Sequence, residues 1–399
     1  PSKPSKEQII NQAIQFHLKG NISEAAKYYQ QLINQGFREA FIFSNYGVIL
    51  KDLGKLKEAE SAQRKAIEIN PDYAEAYSNL GNILRHIGEL KKAELSTRKA
   101  IKIKPDYAEA YSNLGNILRH IGELKKAELS IRKAIELKPD LTAAHVNLGI
   151  LLRENGNDKD AIKSHKKALQ LNPFSSSARA ELIRSKRDIC DWSNKETENN
   201  WLQTLGIQGK AVNPWDFLFL EDNPMKNLKR SRKYYKEHYI KKSFEIASFK
   251  NNKIHIGYFS SDFYEHATMN LIASILELHD KSKFEIYLYS FTPKEDKYTE
   301  RAKGSGCFFR DIKQLNTIES VKLARSDKLD IAIDLKGYTR NSRMAIFSHR
   351  VAPIQINYLG YPGSLGADTI DYILADKIII PKEYEKFYSE KVIHMPSCY

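Results

Sequence analysis

Between residues 5 and 174 the apolar positions fall into pairs of helical stripes, and the pattern returns every 34 residues. The plainest case is PDYAEAYSNLGNILRHIGELKKAEL, which stands at 71–95 and again, letter for letter, at 105–129. Within that unit Tyr73, Tyr77, Leu80, Gly81 and Leu84 form the apolar face of a first helix. Gly88 marks a turn, Ala93, Ala100 and Ile101 line a second helix, and Pro105 ends the pair. Pro71, Pro105, Pro139 and Pro173 keep the same spacing, as do Gly47, Gly81, Gly115 and Gly149. A unit this short cannot bury its own apolar stripe, so neighbouring copies must stack into a superhelix. From Lys253 the texture changes. IHIGYF, FEIYLYSF, LDIAIDL, PIQINYL and DYILAD read as strands, with helical stretches near 267–279, 317–327 and 342–349 between them. That alternation predicts a parallel sheet covered on both faces, with its chemistry in the loops after the strands' C-terminal ends.

Composition narrows the classes. The chain has 399 residues, 42% apolar and 28% charged, as expected of two or three globular domains. No apolar run approaches the roughly 18–20 residues of a membrane span, so no membrane partner is expected. The opening PSKPSKEQII holds no apolar signal core, and without an initiator Met the start is expected further upstream. Cys190, Cys307 and Cys398 are odd in number and far apart, which favours a reducing, cytoplasmic setting over disulfides or zinc. The net charge of +14 raises nucleic acid as a partner. Yet Lys226–Lys253 holds ten of the basic residues against Glu237 and Glu245, interleaved with Tyr234, Tyr235, Tyr239 and Phe244. A solvated helix packing its aromatics on the next domain accounts for that stretch without a specific nucleic-acid role.

The 34-residue helix–turn–helix resembles the tetratricopeptide repeat, with about five units over residues 5–174. The domains expected are a repeat solenoid at 1–174, a helical connecting region at 175–252 and a Rossmann-like lobe at 253–399. One departure is the second-helix position usually held by an aromatic. It carries Gln63, Thr97, Ile131 or His165, which predicts looser packing. Opposite the apolar stripe, Asn45, Asn79, Asn113 and Asn147 recur every 34 residues. Such a ladder can hold the backbone of an extended peptide, since an amide both donates and accepts; it can equally serve a neighbouring helix or cap a carbonyl.

In the second half, Asp262 and His266 stand just before a helix, where N-terminal amides favour a neutral imidazole. Gly360, Gly363 and Gly366 in LGYPGSLG permit close backbone approach to a ligand. Singly, each has a plainer reading, as helix cap or turn. Together and in order, IGYFSSDFYEHAT, IDLKGYTRNSR, APIQINYLGYPGSLG and YSEKVIHMP resemble the protein O-GlcNAc transferase family.

That resemblance implies the first lobe of a two-lobe GT-B glycosyltransferase, inverting and independent of metal, using UDP-GlcNAc to modify Ser or Thr of acceptor proteins. It implies catalytic roles for Asp262, toward the acceptor hydroxyl, and for His266, near the sugar. It places Thr268, Leu271, Leu359, Gly360 and Pro362 around the donor sugar. Arg340 and Arg343 fall near the acceptor, and the Asn ladder becomes a substrate-holding groove. Two departures stand out: Glu265, His266 and Ala267 replace the family's Asn-His-Pro, and VNPWDFL replaces a His-rich stretch. The family's second lobe is not seen before Tyr399, so a chain ending there is expected to fold without catalysing. A related transferase with another sugar or acceptor, and a non-enzymatic repeat scaffold, remain open on the residues alone.

Overall fold

The computed structural model describes residues 5–18, 21–53, 55–239 and 250–396. The chain forms two compact units, Pro1–Gln203 and Thr204–Tyr399. The division therefore falls within the expected connecting region. Helices Ser176–Asp188 and Lys195–Leu202 go with the repeats, and helix Pro224–His238 goes with the lobe.

Among the described residues the first unit holds five helical pairs, from Lys6–Leu18 with Ile22–Asn34 to Thr142–Glu154 with Asp158–Leu171. In the twin repeats, helices Ala74–Ile87 and Ala108–Ile121 end on Gly88 and Gly122, both left-handed with φ near 93° and 94°. That conformation costs a side chain energy but not glycine, and lets Glu89 and Glu123 donate back to the carbonyls of Leu84 and Leu118. Alanines supply the seam between paired helices: Ala59, Ala93, Ala127 and Ala161 are fully buried.

The expected looseness at the aromatic-less position is not found. Gln63, Thr97, Ile131 and His165 are all 0% exposed. Each sits where a Cβ on Gly47, Gly81, Gly115 or Gly149 would have to go. Glycine on the first helix thus lets a mid-sized side chain fill the gap. The polar occupants differ in satisfaction. Gln63 donates to the Ser44 carbonyl at 2.8 Å and Thr97 to the Ala93 carbonyl at 2.9 Å. Among the described residues neither ring nitrogen of His165 has a hydrogen-bond partner, and burial pushes its pKa down to about 4.

The second unit is a seven-stranded, all-parallel sheet: β1 (Ile254–Ser260), β2 (Phe284–Ser290), β3 (Phe308–Asp311), β4 (Ile331–Asp334), β5 (Ile354–Tyr358), β6 (Tyr372–Ala375) and β7 (Lys391–His394). Their spatial order is β3-β2-β1-β4-β5-β6-β7, so the order reverses between β1 and β4. Alternation along the strands splits the core in two. Ile256, Tyr258, Ile286, Leu288 and Ile333 pack with Met269, Ile272 and Leu276 of helix Ala267–Leu278. Phe259, Tyr289 and Ala332 pack with Val321, Ala324 and Phe347 on the other face. β3 and β7 escape the sequence pattern, being four residues long and rich in polar positions at FFRD and KVIH. Helix Lys297–Gly304 is likewise additional.

The aromatic part of the basic stretch packs into this lobe. Tyr235 is 2% exposed and bonds Thr369 at 2.9 Å, while Tyr234 meets Tyr338 edge-on. Arg230 is buried over the Phe217 ring and paired with Glu221 at 2.7 Å. Residues 240–249, including Phe244 and Glu245, lie outside the described residues. Among those described, no helix is long and apolar enough to cross a membrane, and no cluster of His, Cys, Asp and Glu could hold a metal ion.

Candidate active site

The reversal point between β1 and β4 is where the loops following two neighbouring strands diverge and leave a crevice. Asp262 and His266 lie in the loop after β1, and Lys336 lies in the loop after β4. Asp262 is 4% exposed and Lys336 is 5% exposed, and Lys336 Nζ donates to Asp262 Oδ2 at 2.6 Å. The Ser261 hydroxyl donates to Oδ1 at 2.8 Å, and the Thr268 hydroxyl reaches Oδ2 at 3.5 Å. A cation and hydroxyl donors thus stand where water would otherwise solvate this deep side chain.

His266 is the N-cap of helix Ala267–Leu278. Its Nδ1 accepts the Thr268 backbone N–H at 3.1 Å and lies 3.6 Å from Asp262 Oδ2. An Nδ1 that accepts leaves the proton of the neutral ring on Nε2, so the half-exposed imidazole presents an N–H donor outward. Thr268 is buried and ties His266 to Asp262, whereas Leu271, one turn on, is 60% exposed.

The loop after β5 is held by the chain's own contacts. Leu359 has a left-handed φ of 70°, and a Cβ on Gly360 would stand 2.0 Å from the Leu335 carbonyl oxygen. Gly366, with φ +61°, is pressed on the backbone of Ser231 and Arg232. The glycines expected to admit a ligand are therefore already required by close approaches within the lobe. Glu390 of the YSEKVIH motif accepts from the Ser364 hydroxyl and the Leu365 N–H, both at 2.7 Å. Tyr388 donates to the carbonyl of half-buried Pro362 at 3.0 Å. Two motifs far apart in sequence thus form one braced loop.

The two arginines part company. Arg343 donates to the carbonyls of Ile312 and Leu315 at 2.8 and 2.9 Å and to the Ser320 hydroxyl at 3.0 Å. Burial lowers its pKa to about 10, and its donors serve the lobe's own loops. Arg340 is exposed and makes no ion pair among the described residues. In the repeats, Asn79, Asn113 and Asn147 donate through Nδ2 to Ser44, Ser78 and Ser112 of the preceding repeat, at 3.1, 3.0 and 2.9 Å. Asn45 donates to the Tyr29 hydroxyl at 3.2 Å. One amide hydrogen therefore stitches neighbouring units, while the side-chain carbonyls take no hydrogen bond among the described residues.

Residue-level reading missed Lys336, although IDLKGYTRNSR contains it. Only contact across the sheet marks it out. Asp334, 3% exposed, accepts the N–H groups of Lys336 and Gly337 at 2.9 and 3.0 Å and so aims the lysine; burial pushes its own pKa up to about 7.

Comparison with known proteins places these features. Residues 228–399 match the model of glycosyl transferase family 41, and residues 74–107, 108–141 and 144–173 match tetratricopeptide repeats. The chain is 29% identical over 238 residues to a probable UDP-N-acetylglucosamine–peptide N-acetylglucosaminyltransferase SEC of Arabidopsis thaliana, covering 55% of this chain and 24% of that protein. It is 35% identical over 147 residues to the UDP-N-acetylglucosamine–peptide N-acetylglucosaminyltransferase of Caenorhabditis elegans, covering 36% and 13% respectively. The chain thus spans a quarter or less of these relatives' length. Among solved structures, a Thermobaculum terrenum O-GlcNAc transferase mutant overlays with a TM-score of 0.49 at 22% identity, covering 85% of this chain and 58% of that one.

Proposed function

We propose that this chain is the repeat region and amino-terminal catalytic lobe of a protein glycosyltransferase that moves GlcNAc from UDP-GlcNAc to Ser or Thr of acceptor proteins. The observation that carries the reading is the cluster of Asp262, Lys336, Thr268 and His266 at the strand-order reversal of a sheet whose sequence matches glycosyl transferase family 41. A scaffold has no use for a charged pair buried beside a half-exposed imidazole at that position.

In this reading His266 offers its Nε2–H to the sugar or to the acceptor oxygen. Asp262, locked by Lys336, supplies a fixed negative charge beside the acceptor hydroxyl, whose proton passes to water, since Nε2 already carries a hydrogen and Nδ1 accepts the Thr268 N–H. Arg340 lies free to meet the acceptor chain, and the repeats gather acceptor proteins. Leu359, Gly360 and Pro362 border the sugar as a braced wall. The transfer is inverting and needs no metal, the donor itself being the nucleotide sugar, and it takes place in the cytoplasm.

The test is to express the chain with any coding sequence that adjoins it and incubate it with UDP-GlcNAc and a protein extract. Mass spectrometry should find an added N-acetylhexosamine on Ser or Thr, lost with His266→Ala. Transfer only from another UDP-sugar, or onto Asn, would replace this reading. No transfer at all would favour the scaffold.

A further inference from the structure

The first helices of the repeats carry a column of cations, Lys51, Arg85, Arg119, Arg153 and Arg187, each 34 residues apart. The next position holds the counter-charge: Asp52, Glu154 and Asp188, but His86 and His120 in the middle. The pairing follows that pattern. Arg119 Nη1 reaches Glu154 at 2.7 Å, and Arg153 meets Glu181 at 3.4 Å and Asp188 at 3.6 Å. Lys51 meets Asp52 at 3.0 Å. Arg85 faces the ring of His120 at 3.4 Å, where Arg119 faces a carboxylate. Its other contacts are neutral: the Asn82 side-chain oxygen at 3.0 Å and the His86 ring at 3.3 Å.

His120 does not repair the imbalance. Its Nε2 receives both Arg85 and, at 3.2 Å, Arg119, so it accepts as a neutral ring. Burial and the charges of Arg119, Arg85 and His86 hold its pKa down to about 3, and Arg85 itself is lowered to about 10 by burial and then by Arg119. One guanidinium in the column is thus left without a carboxylate among the described residues, beside the rings of His86 and His120. A planar fork with unused charge selects a carboxylate, which it can bind through two parallel hydrogen bonds.

We propose that Arg85, between His86 and His120, receives a side-chain carboxylate from an acidic segment of a bound partner protein. The missing internal carboxylate at position 120 is supplied by the ligand. The proposal rests on the reading of the repeats as a protein-binding surface and adds to it a charge preference at one step.

The probes are two acetylated and amidated peptides, a Glu-Gly-Ser repeat and its Gln-Gly-Ser counterpart, titrated by fluorescence anisotropy against the full chain in about 50 mM salt, where screening is weak. The Glu peptide should bind about tenfold more tightly, a difference worth ~1.4 kcal/mol. Arg85→Gln should remove that preference, and so should His120→Glu, which gives Arg85 the partner that Glu154 gives Arg119. Lys99→Gln removes one exposed charge elsewhere in the same unit and should leave the preference intact. Circular dichroism of each variant should match the parent, His120→Glu reproducing a side chain already carried at Glu154. Equal binding of the two peptides, no binding of either, or a preference that survives both Arg85→Gln and His120→Glu would overturn the proposal. Equal binding that is weakened by Asn79→Ala with Asn113→Ala would overturn it while leaving the peptide groove standing.

Discussion

Replacing Lys336 by Met tests whether the charged pair at the crevice is a single unit. Lys336 and Asp262 are each about 95% buried, and their 2.6 Å contact is the only ion pair that Asp262 makes with a Lys or Arg among the described residues. Methionine keeps the length and volume of the stem but removes the ammonium. Asp262 would then rely on the Ser261 hydroxyl at 2.8 Å and the Thr268 hydroxyl at 3.5 Å. Deleting one partner of a buried pair costs about 3–5 kcal/mol, because the remaining charge stays desolvated. For a unit of this size that is a fall in melting temperature on the order of 10 °C. The double variant Asp262→Asn with Lys336→Met removes both charges and should recover most of the loss, giving a coupling of about 2 kcal/mol or more. Hydrogen exchange followed by mass spectrometry during thermal unfolding separates peptides of the lobe from those of the repeats. Peptides from 204–239 and 250–396 should lose protection early, and those of the repeats should not. A lobe within about 1 kcal/mol of the parent in Lys336→Met, or a double variant as unstable as the single, would refute the argument. In the first case water reaches the pair; in the second the lysine stem, not its charge, matters.

Other outcomes follow from the same contacts. His165 is fully buried with a folded pKa of about 4 against about 6.5 unfolded, so between those values the unfolded chain binds the extra proton and stability falls as pH drops. The loss should approach 3 kcal/mol by pH 4, and His165→Ile, copying buried Ile131, should abolish that part of the pH dependence in denaturant titrations. Asn79→Ala and Asn113→Ala should each cost about 1 kcal/mol of repeat stability through the lost bond to Ser44 or Ser78. They should also weaken peptide binding severalfold if the free carbonyls hold an acceptor backbone. Stability lost with peptide affinity unchanged would assign the ladder to repeat stacking alone. His266→Gln, whose side-chain N–H can stand in for the Nε2–H donor, should retain more transfer than His266→Ala, and equal loss in the two would refute the donor role.

The 34-residue period alone determined the repeat region, because identical units must stack on their own kind and a shared spacing of Pro, Gly and Ala allows one local geometry. Alternating strand and helix texture likewise determined a parallel sheet, since buried β-branched runs have no other stable surroundings. What sequence could not decide was what touches what across distances in the chain. Gln63, Thr97, Ile131 and His165 looked like defects until the glycine opposite each was seen to make room. Arg343 and Arg340 are three residues apart, yet one is spent on carbonyls and the other is open. The edge strands β3 and β7 are too short and polar to read, and they owe their form to the neighbours that pair with them. Lys336 carries no local mark at all. Its meaning comes from a partner 74 positions away, the chain folding so that the loop after β4 meets the loop after β1, in a place dry enough for one ammonium to hold one carboxylate.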